Sequence, residues 1–320
     1  MTKEAPAVVA EGLTKRFGAF TAVNGLDLVI AKGEVVGFIG PNGAGKSTTM
    51  RMLCGLLTPS AGRALVAGYD VAREPETVRA HIGYMSQKFS LYGDLTCREN
   101  LRFFAGIYRV PAKIRDERTL FAIAMAGLAG REDMLVRTLA GGWKQRLALG
   151  CAILHHPPVL FLDEPTSGVE PEARRRFWEL IHTLAEADVT ILVSTHYMEE
   201  AEYCNRVAMI DAGRLVVVGS PSELRRRDLG GSLFELGCAP LGAALEAVAK
   251  APGVIEVAIF GDKLHVLVRD EAVAQGLPAL LNAQGMTARP PRGIAASLED
   301  VFVRLAAREN PAGSGEAAAP

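Results

Sequence analysis

GPNGAGKST, Gly40 to Thr48, has the spacing G-x-x-x-x-G-K-S/T and stands between an apolar run, VVGFIG (35 to 40), and a helical pattern, KSTTMRMLCGLL. A strand that turns on glycines into a helix is built to cradle phosphates. Gly40, Gly43 and Gly45 let the backbone aim its amides inward, and the helix that follows adds its positive N-terminal end. Lys46 is expected to reach the outer phosphates and the Ser47 hydroxyl to ligate magnesium, while Pro41, Asn42, Ala44 and Thr48 complete the nucleotide-contacting segment. This stretch predicts an α/β fold with a parallel sheet and function gathered at the carboxyl ends of its strands.

Working outward, VLFLDEP (159 to 165) carries four apolar residues through a core and delivers Asp163 at the strand end, suited to holding magnesium through water. Glu164 follows at once, and a carboxylate beside a terminal phosphate can orient and deprotonate an attacking water, so hydrolysis is expected beyond binding. TILVST (190 to 195) and VAMID (207 to 211) read as further buried strands, and RLVVVG (214 to 219) as a closing hairpin strand. Up to about Gly219 the rhythm is strands alternating with crossover helices. Between about 90 and 150 it changes to three successive helices, NLRFFAGIYRV, RDERTLFAIAMAGLAG and WKQRLALGCAILHH: a helical insert.

After SPSEL the order is strand (SLFELGC), helix (LGAALEAVAK), two strands (VIEVAIF and KLHVLVR) turning at Gly261 and Asp262, helix (EAVAQGLPALLNAQG), strand near MTARP, and a last helix, SLEDVFVRLAAR, capped at Ser297. That β-α-β-β-α-β order predicts a small α+β domain of the split βαβ kind. The expected division is a cassette over 7–224, a small domain over 231–308 and a disordered tail over 309–320.

Charge narrows the partners. With 35 Lys plus Arg against 36 Asp plus Glu, the net charge of -1 supplies no basic field for nucleic acid, and the clusters Arg174 to Arg176 and Arg225 to Arg227 read as solvated faces. Five widely spaced cysteines with no C-x-x-C pair suggest a reducing compartment. MTKEAPAVVAEG lacks the core of a secretory signal and no apolar run is long enough to span a bilayer, so the chain is not expected to cross a membrane itself.

With these residues in place, the sequence over about 7–224 resembles the ATP-binding subunit of an ABC transporter, a P-loop NTPase cassette. MSQ (85 to 87) resembles the family's Q-loop, which implies that Gln87 touches magnesium and the attacking water. STH (194 to 196) resembles the switch segment and implies that His196 reaches the γ-phosphate. The place of the adenine-stacking aromatic falls on Phe17, with Phe20 as the alternative. LAGGWKQR (139 to 146) falls where the family carries LSGGQ, with Ala140 for serine and Trp143 for glutamine; Gly141 and Gly142 remain. The family's subunits sandwich two ATP molecules between two cassettes, each signature serving the partner's nucleotide. The resemblance therefore implies ATP and Mg2+ as cofactors, a second ATPase subunit and a separate integral-membrane permease. SGVE (167 to 170) ends the D-loop in Glu170 where aspartate is more usual.

EPTSGVEP, GWKQR and the C-terminal SLEDVFVRL resemble subunits that energise type-2 exporters of drugs, antibiotics, lipids or polysaccharides, placing the chain at the cytoplasmic face of the membrane. Sugar-importer ATPases typically append a β-barrel instead. Soluble ABC proteins of translation or repair usually carry two cassettes, whereas this chain has a single phosphate loop. The permease is expected to dock between Gln87 and Tyr108, on some of Phe89, Leu91, Tyr92, Phe103, Phe104 and Tyr108.

Overall fold

The computed structural model describes residues 5–87, 91–227 and 229–309. Two long strands, β1 (Val8–Phe17) and β2 (Phe20–Ile30), pair antiparallel before the glycine loop is reached. β3 (Val35–Ile39) then enters the core and α1 (Lys46–Leu53) leaves it, followed by β4 (Ala61–Val66), the short β5 (Tyr69–Asp70), α2 (Pro75–Ala80) and β6 (Ile82–Met85). The first sheet has the order β2-β1-β4-β5. It corrects the expectation of one continuous α/β alternation up to Gly219. The reason is physical: β1 changes register between Ala10 and Leu13, where Gly12 takes φ 56°, and again before Lys15 and Arg16. Those irregularities break the two-residue periodicity by which a half-buried strand is recognised.

Three helices form the insert: α3 (Cys97–Ile107), α4 (Arg115–Met125) and α5 (Gly141–Ile153). Thr96 and Glu99 close a reciprocal capping box on α3. Leu101, Ala105, Ile123, Leu128, Leu147 and Cys151 give this region its own buried core, on which Phe104, Tyr108 and Trp143 pack. The chain then returns through β7 (Val159–Asp163), α6 (Pro171–Glu186), β8 (Thr190–Thr195), β9 (Arg206–Asp211) and β10 (Arg214–Gly219).

The second sheet has the order β10-β9-β3-β8-β7-β6, parallel from β9 to β6, with β10 antiparallel at its edge. β3 and β7 are buried at every residue, as strands covered on both faces must be. Leu13, Leu26 and Ile30 from the first sheet share one core with Phe38, Met50, Met52, Phe161 and Leu192. The glycine loop is thereby anchored to both sheets.

The chain divides between Ser220 and Pro221 into two compact units. α7 (Pro221–Arg225), which the sequence reading put at the end of the cassette, belongs to the second unit. There follow β11 (Ser232–Leu236), β12 (Cys238–Ala239), α8 (Leu241–Ala249), β13 (Val254–Phe260), β14 (Lys263–Val268), α9 (Glu271–Ala283), β15 (Thr287–Ala288), β16 (Arg292–Gly293) and α10 (Leu298–Glu309). The sheet order β13-β14-β11-β16 is that of a split βαβ unit. Its fourth strand is β16, not the MTARP segment, which as β15 pairs only with β12. Ser297 caps α10 as expected, its hydroxyl accepting from the Asp300 amide at 3.1 Å. Of the tail over 309–320, expected to be disordered, Glu309 is instead the last residue of α10, and 310–320 lie outside the described residues. Among the described residues, no helix is long and apolar enough to cross a membrane.

Candidate functional site

The glycine loop has its shape because other residues would not fit. A Cβ on Gly40 would stand 2.1 Å from the Ile210 carbonyl oxygen of β9, and one on Gly45 would stand 2.6 Å from that of Ala22 in β2. Gly45 also takes φ 107°, which L side chains rarely adopt. It is the N-cap of α1 and brings no capping side chain, so the amides of the first turn are left for an anion.

Lys46 opens α1 and is only 4% exposed. Its Nζ donates to the Gly40 carbonyl at 2.6 Å and the Pro41 carbonyl at 3.1 Å, and lies 3.6 Å from Glu164 Oε1. Burial lowers its pKa from the usual lysine value, while Glu164 and Asp163 act in the opposite direction.

Asp163 ends β7 with its carboxylate buried. Oδ1 accepts from Ser194 Oγ at 2.7 Å and from Ser47 Oγ at 3.0 Å, so the phosphate-loop serine and the strand-end aspartate meet across 116 positions of sequence. Glu164, 7% exposed, takes φ 48° in the left-handed region, a conformation costing a non-glycine residue roughly 1–2 kcal/mol. Its amide is held there by Ser194, donating to Oγ at 2.9 Å and to the carbonyl at 3.2 Å. The turned backbone aims the Glu164 carboxylate at three groups. Gln87 Nε2 donates to Oε2 at 2.9 Å, His196 Nδ1 stands 3.5 Å from the same oxygen, and Lys46 faces Oε1.

Gln87, Glu164 and His196 follow β6, β7 and β8, three neighbouring parallel strands, and Lys46 follows β3 beside β8. Lys46, Ser47, Gln87, Asp163, Glu164 and His196 are thus brought together at one sheet edge. Ser194, which holds both acids, was not singled out from the sequence; its only signal was its place two residues before the histidine.

Phe17 and Phe20 pair across the β1–β2 turn and are 49% and 65% exposed, with the Lys15 ammonium 5.3 Å from the centre of the Phe17 ring. Ala140 occupies the N-cap of α5 without a capping side chain, and Gly141 and Gly142 form its first turn. Among the described residues, none of the bonds that join Lys46, Asp163 and Glu164 to their neighbours reaches this segment. A Cβ on Gly142 would meet that of Ala173 at 2.8 Å, so this glycine lets α5 approach α6. Trp143 has the guanidiniums of Arg131 and Arg146 over its ring, at 4.2 and 5.1 Å. Tyr92 and Phe103 are half-exposed and in edge contact, 4.7 Å between centroids, whereas Tyr108 and Phe104 pack on the insert's core. Phe89 lies outside the described residues.

A glycine loop on a parallel sheet, a buried lysine and a strand-end Asp-Glu pair define a P-loop NTPase. The helical insert and the antiparallel first sheet narrow the class to ABC cassettes. The family profile described as ABC transporter matches residues 23–167. The chain is 37% identical over 310 residues to the Nod factor export ATP-binding protein I of Ralstonia nicotianae, covering 95% of each chain. It is 36% identical to a daunorubicin resistance ATP-binding protein of Streptomyces coeruleorubidus, covering 93% of this chain and 95% of the relative. Identity reaches 47% over 218 residues with the probable multidrug ABC transporter ATP-binding protein YbhF of Escherichia coli; that match covers 68% of this chain and 38% of the relative's length.

Among solved structures, an ATP-binding subunit of an ABC transporter superposes with a TM-score of 0.62 at 31% identity, over 69% of this chain and 92% of the other. A dimeric ATP-binding cassette in a post-hydrolysis state, bound to ADP and phosphate, superposes with a TM-score of 0.61 at 27% identity, over 67% of this chain and 98% of the other. The protein belongs to the ATP-binding proteins of ABC transporters.

Proposed function

We propose that the protein binds and hydrolyses ATP to drive export through a separate membrane permease, with Glu164 as the base that takes the proton of the attacking water. The observation that carries this reading is the convergence of Gln87, His196 and Lys46 on the Glu164 carboxylate. Asp163 and Glu164 divide the work. The first is held through Oδ1 by two hydroxyls beside the phosphate loop, and the second sits among the side-chain nitrogens of Lys46, Gln87 and His196, where water would be activated. His196 and Gln87 would orient that water and the γ-phosphate, and Lys46 and the loop amides would neutralise the phosphate charge. The donors around Asp163 are hard oxygens, which suits magnesium: Ser47 Oγ, Asp163 and the carbonyl oxygen of Gln87 would hold it, and the ion would supply charge neutralisation at the phosphates. One of Phe17 and Phe20 would stack on adenine.

Two copies, or this chain and a second ATPase subunit, would close around two nucleotides, with the Gly141 and Gly142 amides and the α5 N-terminus serving the opposite site. The absent hydroxyl at Ala140 and the longer Glu170 are expected to slow turnover without abolishing it. Names of near-full-length relatives that refer to export and resistance favour an exporter of drugs, antibiotics or lipid-like molecules, docked at the cytoplasmic face on its permease through Tyr92, Phe103 and their neighbours.

The test is phosphate release from magnesium-ATP by the purified protein. Glu164→Gln keeps the shape and the Gln87 contact but removes the base, and is expected to cost at least about 100-fold in rate while ATP still binds. A variant as fast as the parent would overturn the assignment of Glu164.

A further inference from the structure

Glu200 lies in MEEAEY, and its neighbours Glu199 and Glu202 are exposed. Glu200 itself is 1% exposed. A carboxylate is not buried without compensation, since an unpaired buried charge costs several kcal/mol. Its partners are specific. Oε1 accepts from Thr166 Oγ1 at 2.5 Å and stands 3.5 Å from Arg174 Nε, while Oε2 has no hydrogen-bond partner among the described residues. The Arg174 guanidinium lies 4.0 Å from the centre of the Tyr197 ring, and that ring contacts His196, with centroids 4.0 Å apart. Arg174 also donates to the Val169 carbonyl at 3.5 Å.

These contacts tie two segments that the chemistry needs in register. Thr166 is two residues beyond Glu164, and Val169 and Arg174 continue that segment into α6. Tyr197 adjoins His196, and the Glu200 amide donates back to the Tyr197 carbonyl at 2.9 Å. We infer that Glu200 is a positioning residue for hydrolysis: its buried carboxylate locks the segment after Glu164 to the segment that carries His196. The idea rests on the ATPase reading above.

Glu200→Gln keeps the volume and an acceptor for Thr166 but removes the charge that faces Arg174, and Thr166→Val breaks the same link from the other side. Each is expected to lower kcat about tenfold, the scale of one charge-assisted hydrogen bond. The Kd for ATP should stay within about twofold, because the phosphate loop is untouched. The double variant should lose no more than the worse single, since both cut one link. Nuclear magnetic resonance of the nucleotide-free protein supplies an arm that does not depend on turnover: the His196 ring signals should move in Glu200→Gln and stay in place in Glu199→Gln. Unchanged kcat in both single variants, additive losses, or His196 signals indifferent to Glu200 would overturn the positioning role. A parent chain that releases no phosphate, with His196 still responding to Glu200, would instead strike down the ATPase reading and the link's part in hydrolysis with it.

Discussion

Ala140→Ser is the substitution that separates structure from chemistry in the altered signature. Ala140 already has the extended backbone of an N-cap, φ -65° and ψ 158°, and the Trp143 amide donates to its carbonyl at 3.0 Å, yet no side chain caps α5. A serine there needs no backbone change. Its oxygen would accept from the Gly142 or Trp143 amide, which stabilises a helix by about 1 kcal/mol, and would raise Tm of the cassette by roughly 2–4 °C. Its proton stays free for the phosphate of the opposing nucleotide, and one hydrogen bond to a charged group contributes about 1.5–3 kcal/mol. Realised in the transition state, that is about a ten- to 150-fold gain in rate. Thermal melts and steady-state phosphate release on the same preparations check both numbers. A melt raised by the expected few degrees with an unchanged ATPase rate would refute the view that the missing hydroxyl limits turnover, and would direct attention to Glu170, the unsatisfied N-cap of α6.

Other outcomes follow from particular contacts. Gly45→Ala puts a methyl 2.6 Å from the Ala22 carbonyl in a left-handed backbone, and calorimetry should show ATP binding weakened at least about 100-fold, or lost with the fold. Half-buried His155 is stacked on Tyr108 with Nε2 bonded to the Ile82 carbonyl and Nδ1 without a partner among the described residues; desolvation pulls its pKa down to about 4. The unfolded chain then takes up the proton first, so stability should fall as pH drops from about 6.5 to 4, by up to about 3 kcal/mol. His155→Gln should flatten that slope in melts run across the window, and an unaltered slope would count against the assignment. Charge introduced at Phe103 or Tyr92, both on the surface, should leave Tm within about 1 °C and weaken co-purification with the permease; intact co-purification and transport would displace the docking surface.

The phosphate loop was legible in the sequence because its glycines, lysine and serine fall at fixed spacing in one unbroken stretch, although the close approaches that require Gly40 and Gly45 come from the distant Ile210 and Ala22. VLFLDEP was legible for the same reason, as a buried strand announces itself by unbroken apolarity. Convergence was harder to see. Gln87 and Glu164 are 77 positions apart, and only a likeness to a family, not spacing, put them in one site. The bulged β1 and β2 hid a whole sheet because glycines at positive φ shift the alternation, and two-residue strands such as β15 and β16 are too short for periodicity to choose between them. Glu200 gave no signal in the sequence at all, because its burial depends on Thr166 and Arg174, which come from elsewhere in the chain.

Neighbouring strands in a sheet stand about 4.8 Å apart, and Gln87, Glu164 and His196 each hang from the end of one of three such strands. The sheet therefore acts as a ruler for these three side chains. What lies between those strands along the chain, including the whole helical insert, can lengthen, shorten or tilt without altering the graduation. The helical region can therefore differ in length or tilt while the spacing of these three groups stays that of a hydrogen-bond ladder. Insertions in the connections should be tolerated, whereas a single-residue slip in β7 would unseat both acids at once.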